Sequence, residues 1–275
     1  MANRDALEFA NRDRDWLEDY LPSPGNRAQQ AKSTPFVTLT FATSLDSALA
    51  ISPGVQTALS GPQSKSMTHF LRSRHDAILV GVGTATADNP SLNCRLRGTG
   101  GYGGSGLEGQ PRPVVIDPHC RWAFNEQTKV IQLANSGRGK APLIVTRREP
   151  PRDRAAVLHK AGGEYIKMSD DAGQISWSSI LAQLHSKGIR SIMIEGGAKV
   201  INALLSPKEA HLVDSVIVTI APTWLGPDGL RVCPQRADHG ERGKIPVARL
   251  ISPTWHQLGD DVVLCGYINE RLDAD

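Results

Sequence analysis

The residues able to do chemistry stand where apolar runs end abruptly. Ile192-Met193-Ile194 breaks into Glu195-Gly196-Gly197-Ala198-Lys199-Val200. A carboxylate is followed by two residues that let the backbone turn tightly, and Val200, Ile201, Leu204 and Leu205 then fall on one helical face. Strand, glycine turn and helix together aim the first helical N–H groups above a sheet, where the helix dipole favours an anion such as a pyrophosphate. The same residues also fit a close-packed turn without a ligand, since they lack the G-x-G-x-x-G spacing.

A second group follows the run Phe36 to Ala42, where Ser44-Leu45-Asp46 stands at a strand end, the place where open α/β sheets bind ligands. Asp46 fits a turn or cap equally well. A third follows Ala77 to Val82: Gly83-Thr84, then Ala87-Asp88-Asn89-Pro90, then Leu92-Asn93-Cys94-Arg95. Asp88-Asn89-Pro90 also suits an Asx turn. The planar guanidinium of Arg95 suits a phosphate as well as a surface carboxylate. Arg72 and Arg74 close a helical stretch, where the dipole favours cations.

The elements that must position these groups alternate between strand and helix. Ser60-Gly61-Pro62-Gln63 predicts a helix start, with Met67, Phe70 and Leu71 as its buried face. Further strands are expected at 113–117, 142–146, 165–168 and 213–221, and helices at 153–161 and 176–187. Strands at 255–258 and 262–268 pair as a hairpin across Gly259-Asp260-Asp261. The sum is an α/β fold in one domain, a mainly parallel central sheet flanked by helices with an antiparallel C-terminal edge. Leu7, Phe9, Trp16, Leu17, Tyr20 and Leu21 predict an amphipathic surface helix, and a polar link through Pro22-Ser23-Pro24-Gly25 reaches Pro35, so residues 1–34 are an extension and 35–275 the domain proper. The glycine-rich stretch 98–109 contains a formal G-x-G-x-x-G at Gly101, Gly103 and Gly106. Without a strand before it or a helix after it, it reads as a flexible surface loop, as does the polar stretch 231–245.

Composition narrows the function. The chain has 275 residues, 40% of them hydrophobic, and a net charge of +3. Its basic residues are scattered, which gives nucleic-acid or membrane-surface binding no support. No apolar run is long enough for a bilayer. Cys94, Cys120, Cys233 and Cys265 lack metal-site spacing and are expected as reduced thiols, with no bound metal. A polar N-terminus without a signal-peptide core predicts a cytoplasmic location.

Set in series, Ser44-Leu45-Asp46, Thr84 with Ala87-Asp88-Asn89-Pro90, Leu92-Asn93-Cys94-Arg95, Glu195-Gly196-Gly197-Ala198 with Asn202, and Ala221-Pro222 with Leu225-Gly226 resemble the 2,5-diamino-6-ribosylamino-pyrimidinone 5′-phosphate reductases of riboflavin biosynthesis. The resemblance covers roughly residues 35–270. It implies a dihydrofolate-reductase-like fold, NADPH as hydride donor, reduction of a ribosyl to a ribityl group, and a homodimer. The deaminase motifs H-x-E and P-C-x-x-C are missing, and the stretch before Pro35 is short for that domain, so the resemblance is to the stand-alone type.

Carried over by position, the resemblance implies cofactor contacts at Thr84, Asp88, Ile166, Gly196, Gly197, Ala198, Lys199 and Val200. Substrate contacts fall at Arg72, Leu92, Arg95 and Glu195. Asp46 and Glu195 are both candidates for proton handling or for orienting the pyrimidine, and the sequence does not choose between them. Ser47 stands where many members have glycine, and Asn89 replaces an acidic residue. Rival readings are a pterin or folate-type reductase of the same fold, a nucleotide-binding member without catalysis, and a Rossmann dehydrogenase resting on Gly101 to Gly106.

Overall fold

The computed structural model describes residues 6–23, 32–168, 175–235 and 247–268. Most of the polar stretch 231–245 lies outside these residues. In chain order the described elements are β1 (Phe36–Thr43), β2 (Ala48–Ala50), α1 (Pro62–Ser73), β3 (Ala77–Gly81), α2 (Val82–Asp88), β4 (Arg112–Ile116), α3 (Lys129–Asn135), β5 (Leu143–Thr146) and α4 (Arg152–Lys160). There follow β6 (Glu164–Lys167), α5 (Trp177–Ser186), β7 (Ser191–Gly196), α6 (Ala198–Leu204), β8 (Ser215–Ile220), β9 (Leu230–Arg231), β10 (Leu250–Leu258) and β11 (Asp261–Ile268).

The main sheet runs β10-β11-β8-β1-β7-β3-β4-β5-β6. From β8 to β6 all neighbours are parallel, and β11 and β10 add the antiparallel edge that the sequence predicts. Continuous apolar runs make the central strands because both faces are covered. In β3, Ala77 and Leu79 enter the core on one side of the sheet, while Ile78 and Val80 enter the core on the other. In β7, Ile192 and Ile194 face the first of these, and Met193 packs with Leu71 and Met67 of α1. Because these strands are parallel, their C-terminal ends lie along one edge of the sheet; Glu195 stands at the end of β7, and Asp46, Thr84 and Gly226 follow the ends of β1, β3 and β8.

Some expectations need correction. The amphipathic helix expected before residue 22 is two short 3-10 turns, Asn11–Asp13 and Asp15–Tyr20. They form a strap whose Leu17 is fully buried (0% exposed) beside Phe9, Tyr20 and Leu21 against α1 and β11. Ser60 does not cap α1. Gly61 holds that position, and its N–H donates to Asp261 Oδ2 at 2.8 Å, tying the helix start to the β10–β11 turn. The glycine-rich stretch is not a loose loop: a β-carbon at Gly100 would stand 2.4 Å from the Gly106 carbonyl oxygen, so the backbone is folded tightly on itself. The four cysteines are free thiols, three of them buried.

Candidate active site

The centre of the site is an irregularity in β7. Its register with β3 passes from Leu79↔Ile194 to Val80↔Gly196, so Glu195 is the extra residue of a bulge. Bulges re-aim side chains. Glu195 accepts two hydrogen bonds from Arg72, Oε1 from Nε at 2.8 Å and Oε2 from Nη2 at 2.7 Å, while Arg72 Nη1 donates to the Asn93 carbonyl at 3.0 Å. The side chains keep only 13% and 18% of their surface exposed. Burial pulls the pKa of Arg72 down, but the charge and hydrogen bonds of Glu195 outweigh it and raise it overall. Arg72 is therefore more than a helix-end cation. It holds the bulge, and three of its five N–H donors serve the protein before any ligand does.

Directly after Glu195 come Gly196 and Gly197 at φ +95° and +85°. Only glycine takes such angles freely. They turn the chain into α6, whose ladder begins with Val200 N–H donating to Gly197 O, leaving the amides of Ala198 and Lys199 ahead of it. Thr84, on α2 above the neighbouring strand, donates to the Gly196 carbonyl at 3.4 Å, and so links the two turns. Asp88 follows Thr84 by one turn of α2 on the same face, with burial raising its pKa. A glycine turn with two amides ahead of a helix, beside a hydroxyl and a carboxylate, has the chemistry for a dinucleotide, with amides for phosphate and a carboxylate for ribose hydroxyls. Ala198 and Val200 have buried side chains, and the Val200 N–H is taken by the Gly197 carbonyl, so of these two only the Ala198 amide is left to a ligand, whereas Lys199 is exposed.

Asp46 lies in the turn between β1 and β2 and is tied to the loop that follows β8. It accepts from Ser44 Oγ at 2.5 Å, from Leu225 N–H at 3.1 Å and from Gly226 N–H at 2.9 Å. The Ser44 hydroxyl first, and then the Leu225 amide, hold its pKa down at about 2. Near neutrality it is a carboxylate anchor with no proton to give. An unfolded aspartate titrates near pH ~3.9. Asp46 thus contributes its full stability above that value and loses it as the pH falls through about 2. Asp46→Asn is expected to lower the thermal midpoint at neutral pH, with the gap to wild type closing between about pH 4 and pH 2. Melting curves across that range check this, and a constant gap would contradict it.

Other predicted site residues stand apart. Leu92 is 1% exposed at φ +51° and packs into the core beside Ile78 and Val80, so only its main chain is left for a substrate. Ile166 is 3% exposed in the core, four strand spacings from β7, about 19 Å. Glu164 N–H and Met168 N–H donate to Pro142 O and Thr146 O, and by alternation the Ile166 amide also points into β5. Neither its side chain nor its N–H is open to a cofactor. Ser47 sits at φ +60° and Asn89 at φ +41°, angles that explain a glycine at the first position and that asparagine tolerates at the second. Asn89 Oδ1 also accepts from Lys129 N–H at the start of α3.

Sequence reasoning passed over His69. It is a buried residue of α1, and its Nδ1 accepts the Arg95 N–H at 3.0 Å. Periodicity gives no signal for it, since it shares its side of the helix with Ser66 and Arg72, nearly opposite Met67.

Residues 35–264 match the family described as the RibD C-terminal domain. The 2,5-diamino-6-ribosylamino-4(3H)-pyrimidinone 5′-phosphate reductase of Debaryomyces hansenii is 39% identical over 259 residues, covering 92% of this chain and 94% of that protein. The protein of the same name from Saccharomyces cerevisiae is 37% identical over 255 residues, covering 91% and 93%. Among solved structures, the riboflavin biosynthesis reductase of Saccharomyces cerevisiae superposes with a TM-score of 0.71 at 34% identity, covering 93% of this chain and 99% of that one.

Proposed function

This chain belongs to the RibD C-terminal domain family, and from that membership we propose that it reduces the ribosyl group of 2,5-diamino-6-ribosylamino-4(3H)-pyrimidinone 5′-phosphate to the ribityl form, with NADPH as hydride donor. The observation that carries the reading is the near full-length alignment with reductases of that name, 94% of the first relative and 93% of the second. The reductase body is assigned to residues 35–275, with 1–34 as an extension.

When bound, the nicotinamide would supply a hydride to C1′ of the ring-opened sugar imine, whose nitrogen would take its proton from solvent. The chain's own work is then to hold and orient. In this reading the amides after Gly197 take the pyrophosphate, Thr84 and Asp88 take the neighbouring ribose, and Arg95 takes the substrate phosphate. Glu195 is paired with Arg72 through both oxygens and is left to accept a further hydrogen bond, as from a pyrimidine amino group, whereas Asp46, held ionised by Ser44 and the amides of Leu225 and Gly226, has no proton to give. Orientation is accordingly the largest contribution, and a well-aligned pair is worth about 7–11 kcal/mol of barrier.

The same reading includes a homodimer and a cytoplasmic location. In support of the first, Trp255 is 61% exposed on the edge strand β10, with Ile251 also exposed there. Among the described residues no helix is long and apolar enough to cross a membrane.

The test is NADPH oxidation followed by absorbance with the diamino substrate, its deaminated analogue and dihydrofolate. Turnover on the diamino compound and little on the others is the expected result. Preferential turnover of dihydrofolate would move the chain to the pterin reductases, and NADPH binding without turnover of any compound would leave a nucleotide-binding protein.

A further inference from the structure

The segment around Arg95 lies outside the named strands, yet its main chain is bound group by group from distant parts of the fold. The Asn93 carbonyl accepts from Arg72 Nη1 at 3.0 Å. Cys94 donates its N–H to Gln110 Oε1 at 2.8 Å, and its carbonyl accepts from Gln110 Nε2 at 2.7 Å. Arg95 donates its N–H to His69 Nδ1 at 3.0 Å, and its carbonyl accepts from Leu7 N–H at 2.8 Å. Arg97 N–H then donates to the Leu7 carbonyl at 2.9 Å, and Leu7 and Leu96 form an isolated parallel bridge. Arg95 is thus pinned at both faces of its own peptide, by a buried imidazole on one side and the N-terminal strap on the other.

The strap is itself well anchored. Phe9 stacks near Phe70 of α1 with ring centroids 5.4 Å apart, Tyr20 Oη donates to the Ser252 carbonyl at 3.2 Å, and Tyr267 Oη donates to the Asp19 carbonyl at 2.6 Å. Glu18 pairs with Arg74. Leu7 lies outside the stretch 35–264 that matches the family model. His69 is suited to its part because burial, followed by the charges of Arg72 and Arg95, pushes its pKa down to about 2. It remains a neutral acceptor at Nδ1, which places its proton on Nε2.

We propose that the N-terminal strap and His69 form a brace that presents Arg95 to the substrate's phosphate, making His69 a positioning residue and the strap part of the substrate grip. The proposal rests on the reading of Arg95 as the phosphate clamp. A long, rotamer-rich side chain grips an anion well only if little freedom is lost on binding, and a main chain fixed beforehand removes part of that loss.

The test uses the full chain and compares KM for the 5′-phosphate substrate, for its dephosphorylated form and for NADPH, together with kcat and the thermal midpoint. Arg95→Ala comes first. If it affects both forms of the substrate equally, the clamp reading itself fails. Where it is selective for the phosphorylated form, His69→Leu is expected to raise that KM by about five- to tenfold while the KM for NADPH stays within about twofold. His69→Asn, whose Oδ1 can stand in for Nδ1, is expected to restore most of the loss. Leu7→Pro, which removes the N–H donor, is expected to raise the same KM by about threefold or more. A His69→Leu protein that keeps its KM for the phosphorylated substrate, or in which all three constants move with the thermal midpoint and His69→Asn does not rescue, overturns the brace. An unaltered Leu7→Pro protein removes the strap from it.

Discussion

Replacing Arg72 with alanine is expected to lower the unfolding free energy by about 2–4 kcal/mol and kcat by about a hundredfold. The stability loss has a definite origin. Arg72 joins the last turn of α1 to the bulge in β7 through two hydrogen bonds to Glu195, and to the Asn93 carbonyl through a third. Removing it strands a carboxylate and a carbonyl in a place where the Glu195 side chain is only 18% exposed. Leaving a buried charge unpaired is worse than never having the pair. The double replacement Arg72→Met with Glu195→Leu should therefore recover much of the stability lost by Arg72→Ala, yet recover none of the turnover. Urea titrations give the first comparison and steady-state kinetics the second. A loss below about 1 kcal/mol for the single variant would mean that the pair behaves like a surface salt bridge. Recovery of turnover in the double variant would remove Glu195 from the reaction.

That pairing marks the limit of what the amino-acid order makes legible. The central strands are readable because a parallel strand covered on both faces must be apolar throughout, as Ile192 to Ile194 and Ala77 to Val80 are. The bulge at Glu195 is not readable, since it is a mismatch of register with β3 and leaves the composition of β7 unchanged. Nor is the contact of Arg72 with Glu195, which closes over 123 positions of chain. The N-terminal strap was misread for a related reason. Leu7, Phe9, Leu17 and Tyr20 must be buried in either conformation, and what selects short 3-10 turns over a helix is the fit against Phe70 and Tyr267. The opposite error hid α2, where Gly83, Thr84 and Thr86 are weak helix formers and the polar density looks like a loop. Asp46 shows that a correct position does not fix a role. It stands at a strand end as expected, but its oxygens are taken by Ser44, Leu225 and Gly226.

The glycine turn separates fold from binding in one pair of variants. Gly196→Ala would place a β-carbon 2.5 Å from Ile201 Cδ1 at φ +95°, inside the core under α6. Overpacking and a left-handed alanine add, so the expected loss is about 2–4 kcal/mol of stability. Gly197→Ala at φ +85° meets a single polar atom, Thr84 Oγ1 at 2.9 Å. Its steric overlap is the lesser one, although φ +85° with ψ 142° lies next to a region open in effect to glycine alone, and the displaced groups are the Thr84 hydroxyl and the peptide ahead of α6, those assigned to the cofactor. The expected result is a rise in the KM for NADPH of about tenfold or more, with the KM for the pyrimidine substrate changed by less than about threefold. Adding Thr84→Ala to Gly197→Ala relieves the collision and keeps the backbone strain. If the KM for NADPH then stays high, the turn's main chain or the lost hydroxyl sets cofactor affinity, and Thr84→Ala alone decides between these two. If it returns to the wild-type value, steric displacement was the whole effect and Thr84 makes no contact of its own. Equal changes in both Michaelis constants for Gly197→Ala would place the pyrophosphate somewhere other than this turn.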